Sequence, residues 1–197
     1  MELFDIYNPD GTKTGLTKER SLVHRDGDLH AAVHIFFIRD NDDASHDVLL
    51  QMRSYSKDSF PGQLDTSCAG HLSAGDDFIT GAIRECREEL GLSITEDDLE
   101  FLFDLRIDDD TVFYGKPFRN HELVKIFRAK IPVSIDDIVF AKDEIEFFQW
   151  MDLRDVFDKV LHETGEICIY PPGLDILYHI FYPDDDRHLT ARSAVHS

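Results

Sequence analysis

Residues 77–90 carry a pattern that only a helix docked on a second layer satisfies. Phe78, Ile79, Ala82, Ile83, Cys86 and Leu90 recur at three- and four-residue spacing, an apolar stripe that has to be buried. Gly91 follows where a helix C-terminus favours glycine. The opposite face is unusual. Glu85, Glu88 and Glu89 stand at i, i+3 and i+4, so three carboxylates converge within about one turn. Like charges at that spacing destabilise an isolated helix by roughly a few tenths of a kcal/mol per pair. A hard, oxygen-preferring cation such as Mg2+ or Mn2+ turns the repulsion into a binding site. Arg84, four residues before Glu88, is placed to orient it. On spacing alone, an acidic solvated helix face accounts for the same residues.

Strand signals surround this helix. Leu3–Tyr7 and residues 14–17 flank Asn8-Pro9-Asp10-Gly11, a turn signal that predicts an opening hairpin. Apolar, partly β-branched runs at 31–39 and 48–53 read as central strands, with shorter or later strands at 64–69, 122–131 and 144–151. Helices are expected at 152–161, behind an Asp152 N-cap, and at 173–181. Strands interleaved with a few helices predict an α/β (α+β) sandwich. No repeat or linker divides the 197 residues. The expectation is one domain, 1–197, with an N-terminal hairpin extension at 1–30 and a C-terminal helix and polar tail at 165–197.

Charge and cysteines narrow the function classes. Forty acidic residues against 20 basic ones give a formal net charge of −20, a surface that repels nucleic-acid polymers and anionic membranes. An anionic substrate would need metal ions to approach it. The three cysteines, Cys68, Cys86 and Cys168, are an odd number at wide spacing, which argues for reduced, buried thiols over a disulfide framework. No apolar run approaches the ~20 residues of a membrane span, and the first ten residues lack the apolar block of a signal peptide. A cytoplasmic location is the default expectation.

The segment before the helix changes the weight of its carboxylates. Gly70-x5-Asp76-x7-Arg84-Glu85-Cys86-x-Glu88-Glu89-x-Gly91-Leu92 resembles the Nudix box, with every spacing met over 23 positions. Asp76 stands where the family has glutamate, and Cys86 where it has an aliphatic residue. The resemblance implies a Nudix-type α/β/α sandwich with a mixed sheet and a loop–helix–loop catalytic motif. It implies that Glu85, Glu88, Glu89 and Gly70 hold Mg2+ or Mn2+, and that the three glutamates act with Arg84 in catalysis. The general base varies within the family. Glu89, Glu144 and Glu146 are the candidates here, the last two being equally readable as solvent-facing strand residues.

A second resemblance is to isopentenyl-diphosphate isomerase, a Nudix-fold enzyme. It rests on His24, His30, Cys68-Ala69-Gly70-His71, Asn120-His121-Glu122 and the stretch from Phe148 to Leu153. Those enzymes bind one metal through three histidines and two glutamates. His24, His30, His71 and Glu122 match four of these, as a second metal site or a substrate pocket, while Asn120 replaces the remaining glutamate. The isomerase carries its catalytic cysteine two residues before the third histidine, where this chain has Ala69. Cys68 is adjacent, but neighbours on a strand face opposite ways. That departure and the complete carboxylate set favour hydrolysis.

The expected substrate is a small diphosphate-containing molecule, foremost a nucleoside diphosphate derivative. Isomerisation and nucleotide binding by a non-catalytic regulator are the alternatives. Arg53, Lys57, Arg106 and Lys125 are cations available to phosphate, with no spacing that selects among them. Phe36, Phe37, Phe147, Phe148 and Trp150 read as core rather than as a base-stacking platform. The apolar stretch after Pro171-Pro172-Gly173 either caps the core or forms a homodimer contact.

Overall fold

The computed structural model describes residues 2–57, 59–113 and 116–189. It resolves into two compact units, residues 1–36 with 68–140 and residues 37–67 with 141–197.

In the first unit, β1 (Leu3–Tyr7) and β2 (Lys13–Glu19) form the expected antiparallel hairpin. Gly11 turns it in the left-handed region at φ 84°. A short helix, α1 (Arg20–Asp26), follows and ends on left-handed Gly27. It went unrecognised in the sequence because seven residues are too few to show a helical period. The first part of β3 (His30–Asp40) pairs antiparallel with β6 (Cys68–His71), matching Ala32 with His71, Val33 with Gly70, His34 with Ala69 and Ile35 with Cys68. Directly opposed residues share a face. Val33, Ile35, Gly70 and Cys68 therefore face one way, and Ala32, His34, Ala69 and His71 the other. α2 (Phe78–Leu90) packs on β6.

The predicted strand at 122–131 is the second half of β8 (Lys116–Ala129), which forms a long hairpin with β7 (Leu99–Phe113). β7 was missed. Asp104 and Asp108-Asp109-Asp110 interrupt its apolar alternation, and among the described residues Leu99 and Ile107 are its buried side chains. α1 packs against β8.

In the second unit, the end of β3 pairs with β4 (His46–Arg53), and β4 pairs in turn with β5 (Leu64–Asp65) and β9 (Ile145–Asp152), all antiparallel. A parallel bridge joins Leu64 to Ile167, so the strand pairing is mixed. The strand expected at 64–69 is really two, β5 and β6. Ser67 breaks it: its hydroxyl is buried, donating to Leu49 O at 2.5 Å and accepting from Phe37 N–H at 3.0 Å. α3 (Leu153–Leu161) is capped by Asp152, whose carboxylate accepts from Arg154 N–H. α4 (Pro171–Phe181) begins on the two prolines. Tyr178 and Phe157 stack at 4.0 Å between the two helices, each fully buried, contributing about 2–3 kcal/mol apiece through area alone.

Of the aromatics expected in the core, Phe36, Phe37 and Phe148 are buried. Phe147 is 42% exposed, and Trp150 lies under the Arg39 guanidinium at 4.5 Å. Strand alternation explains the first, since Phe147 and Phe148 cannot share a face. The tail expected from Asp185 is described as far as Leu189, where it folds onto α4 through Leu189 N–H and Asp175; the remainder lies outside the described residues.

Candidate active site

α2 is held at both ends. Asp77 accepts from Thr80 N–H at the start, and Gly91, at φ 67°, donates its N–H to Arg87 and Cys86 carbonyls at the end. Ala82, Cys86 and Leu90 are buried as the stripe predicts, Phe78, Ile79 and Ile83 are half-buried, and Gly81 is buried beside them. Glu85 is buried with them, at 8% exposure, and does not lie on an open acidic face. The space it occupies is the absent side chain of Gly70, since a Cβ there would overlap the Glu85 carboxylate. Glu88 is exposed and Glu89 half-buried.

Arg84 collects the group. Its Nη1 donates to Glu85 Oε1 at 2.6 Å and to Glu88 Oε2 at 3.1 Å, and its Nη2 donates to the His71 carbonyl at 2.8 Å. Asp76, despite its shorter arm, reaches Arg84 Nε at 3.3 Å. Glu89 Oε2 accepts from Ala69 N–H at 3.2 Å. Burial pushes the Glu85 carboxyl upward, and the Arg84 charge opposes this without cancelling it. Three carboxylates thus sit on one helix with one guanidinium as counterion. Oxygen donors of this kind fit Mg2+ or Mn2+.

The three histidines and Glu122 assemble from four separate elements. His24 comes from α1, His30 from the start of β3, His71 from the end of β6 and Glu122 from β8. One ring nitrogen from each histidine lies within 4.8 Å of the other two. Glu122 Oε1 is 3.0 Å from His71 Nε2 and 3.8 Å from His30 Nε2. Among the described residues, the buried Nε2 atoms of His24 and His30 and the buried Oδ1 of Asn120 have no hydrogen-bond partner. Asn120 is two positions from Glu122 on β8, so both face the same way. Buried polar atoms without partners are rare and demand an explanation. Imidazoles and a carboxylate brought together in this way fit a borderline divalent cation.

The protonation states agree. Burial, reinforced by the neighbouring histidines, pushes His24 down to about 3 and His30 down to about 4. Burial alone would raise Glu122, but His71, His34 and His30 outweigh it and pull the carboxyl down to about 2. Neutral imidazoles and an ionised carboxylate are the forms a metal takes. A pH dependence follows. Unfolding lets His24 and His30 return to the ordinary value of 6.5, so the unfolded chain binds more protons below that pH. Stability of the metal-free protein is therefore full above about pH 6.5 and falls on acidification, with Glu122 adding to the loss below pH 4.5. Urea midpoints measured at pH 7 and pH 5 should show a clear drop at pH 5, which His24→Gln reduces.

Two rings escaped the sequence reading. Phe4, fully buried, stacks on His71 at 4.9 Å and on His30 at 5.3 Å, and Phe118 stacks on His24 at 4.5 Å. Nothing in the spacing of an N-terminal hairpin announces such a wall. His34 was passed over as well. It shares the face of Ala69 and His71, and its charge is felt at Glu122. Cys68 faces the other way, toward Cys86, and burial raises its thiol well above the ordinary value. The residue on the histidine side is Ala69.

Glu144 and Glu146 belong to the other unit. Glu144 pairs with Lys57 at 3.0 Å, and Glu146 accepts from Ser54 Oγ and Tyr55 N–H. The four cations set aside for phosphate all have carboxylate partners: Arg53 with Asp65, Lys57 with Glu144, Arg106 with Asp108 and Lys125 with Asp104.

An α+β frame carrying this carboxylate helix defines a class of hydrolase that acts on pyrophosphate bonds. The NUDIX domain family matches residues 28–171, and the chain belongs to the Nudix hydrolase family. It is 38% identical over 153 residues to Nudix hydrolase 3 of Arabidopsis thaliana, covering 76% of this chain and 19% of that protein. The chain therefore spans about a fifth of the plant protein's length. It is 25% identical over 190 residues to the isopentenyl-diphosphate Delta-isomerase of Clavibacter sepedonicus, covering 95% and 91% of the two chains. A crystal structure of a Deinococcus radiodurans protein shares the fold, with a TM-score of 0.62 at 20% identity over 85% of this chain and 92% of that one. Nudix enzymes in general use divalent metal ions. Among the described residues, no helix is long and apolar enough to cross a membrane.

Proposed function

We propose that this chain is a metal-dependent pyrophosphohydrolase that cleaves the phosphoanhydride bond of a small nucleoside diphosphate derivative. The observation that carries the reading is the carboxylate group on α2, in which Arg84 holds Glu85 and Glu88, Ala69 N–H holds Glu89, and Glu85 is set into the space left by Gly70. Mg2+ or Mn2+ held by those glutamates with the help of Gly70 would neutralise the diphosphate and acidify the attacking water. The chain's own residues do the rest. Arg84 fixes the carboxylates before metal arrives, so little reorganisation is left for the reaction. Glu89, held by Ala69 N–H, is one candidate for general base, and Glu146 and Glu144 are the others.

The histidine site is a second metal position in this reading, formed by His24, His30, His71 and Glu122 with Asn120 as an added oxygen donor. That geometry also favours a second reading, isopentenyl-diphosphate isomerisation. Against it stand Ala69 on the histidine face and Cys68 turned toward α2.

The test is turnover of a mixed panel: nucleoside di- and triphosphates, nucleotide sugars, dinucleotides and isopentenyl diphosphate. Mg2+ and Mn2+ are supplied in one arm and removed by chelator in the other. Metal-dependent release of a nucleotide or phosphate is expected, with Glu146→Gln and Glu144→Gln run beside wild type to identify the base. Formation of the allylic isomer with no hydrolysis would replace the proposal with the second reading. Nucleotide binding with no turnover of any kind would identify a regulator.

A further inference from the structure

We infer that the histidine site and the carboxylate helix are coupled through β6, so that a divalent metal among the histidines tightens metal binding at Glu85, Glu88 and Glu89. The inference rests on the two-site reading above and concerns what joins the sites.

Three consecutive residues of β6 touch the carboxylate helix, and one of them reaches the histidine site as well. Ala69 N–H holds Glu89 at 3.2 Å. Gly70 provides the space for Glu85. The His71 carbonyl anchors Arg84 at 2.8 Å, and Arg84 in turn holds Glu85 and Glu88. The side chain of that same His71 reaches the other site, 3.0 Å from Glu122 and stacked at 5.1 Å on His30. One residue therefore contributes its ring to one site and its carbonyl to the other.

The sign of the coupling follows from the partnerless nitrogens. Buried Nε2 atoms of His24 and His30 without a hydrogen-bond partner, beside a His71 ring held by Glu122 at 3.0 Å, favour opening of the cluster. An opening that shifts β6 at His71 carries its ring and its carbonyl together, and with them the Arg84 anchor. A cation on the three nitrogens and Glu122 removes the reason to open and holds β6 where the glutamates need it. Donors of a tetrahedral zinc at about 2.1 Å stand about 3.4 Å apart, so His71 and Glu122 at 3.0 Å need move only a few tenths of an ångström. Linkage makes the effect reciprocal, so metal on α2 must tighten the histidine site by the same factor.

The experiment uses the full chain stripped by chelator and then reloaded with one equivalent of Zn2+ or none, its zinc content measured directly. Mn2+ is titrated into each sample and followed by electron paramagnetic resonance, with Glu88→Gln identifying the signal that belongs to α2. Mn2+ should bind about fivefold or more tightly in the zinc-loaded protein. His24→Ala, which removes a ligand from α1 and leaves β6 untouched, should abolish the gain. If that variant fails to fold, the reverse titration of Zn2+ into wild type with and without saturating Mn2+ must show the same factor. Stoichiometric zinc with Mn2+ affinity unchanged within about twofold sinks the coupling and leaves the proposed hydrolase standing. Failure to retain zinc at all overturns both the histidine site and the coupling.

Discussion

Gly70→Ala is expected to lower kcat/KM by about a hundredfold or more, roughly 3 kcal/mol of transition-state stabilisation. Gly70 is not among the glycines at positive φ, so its backbone tolerates any residue. What the position lacks is room. A methyl group there would overlap the Glu85 carboxylate, which is buried and tied to Arg84 at 2.6 Å. The strand cannot retreat, because Gly70 pairs with Val33 in the middle of the β3–β6 ladder. Glu85 must therefore leave, and Arg84 loses its main partner. Overpacking of this kind also destabilises by about 1–3 kcal/mol. Steady-state kinetics and a urea titration on the same preparation check both parts. Wild-type turnover from the alanine variant would show that Glu85 is not needed where it sits.

Glu88→Gln should separate activity from stability. The Glu88 side chain is 54% exposed and its partners are Arg84 at 3.1 Å and Arg87 at 4.0 Å. Exposed pairs of this kind contribute about 0–1 kcal/mol, and glutamine keeps the shape and helix propensity of glutamate. The urea midpoint should hardly move. Removing one anionic oxygen donor from a metal site is a different matter, and kcat/KM should fall about a hundredfold or more with weaker Mn2+ binding. A variant with wild-type turnover would return Glu88 to an ordinary solvated helix face.

The carboxylate helix was legible because its signals are local. Apolar spacing, the C-terminal glycine and the run from Gly70 to Leu92 all lie within one stretch of chain. The burial of Glu85 was not legible, since it depends on which residue of a neighbouring strand stands opposite. The histidine site shows the same limit more strongly. His24, His30, His71 and Glu122 were identifiable through resemblance, yet no spacing brings four separate elements together. The orientation of Cys68 away from Ala69 was legible, because strand alternation is a two-residue rule. β7 was hidden by its own aspartates, and Phe4 by the ordinary look of a hairpin residue.

That phenylalanine has a kinetic consequence. With Phe4 over His30 and His71 and Phe118 against His24, the cluster has aromatic walls on both sides. A cation held there, as proposed above, would lie against the hairpin of β1 and β2, and its exchange would be slowed by the stability of that hairpin. The carboxylates of α2, exposed at Glu88, would trade theirs with solvent more freely.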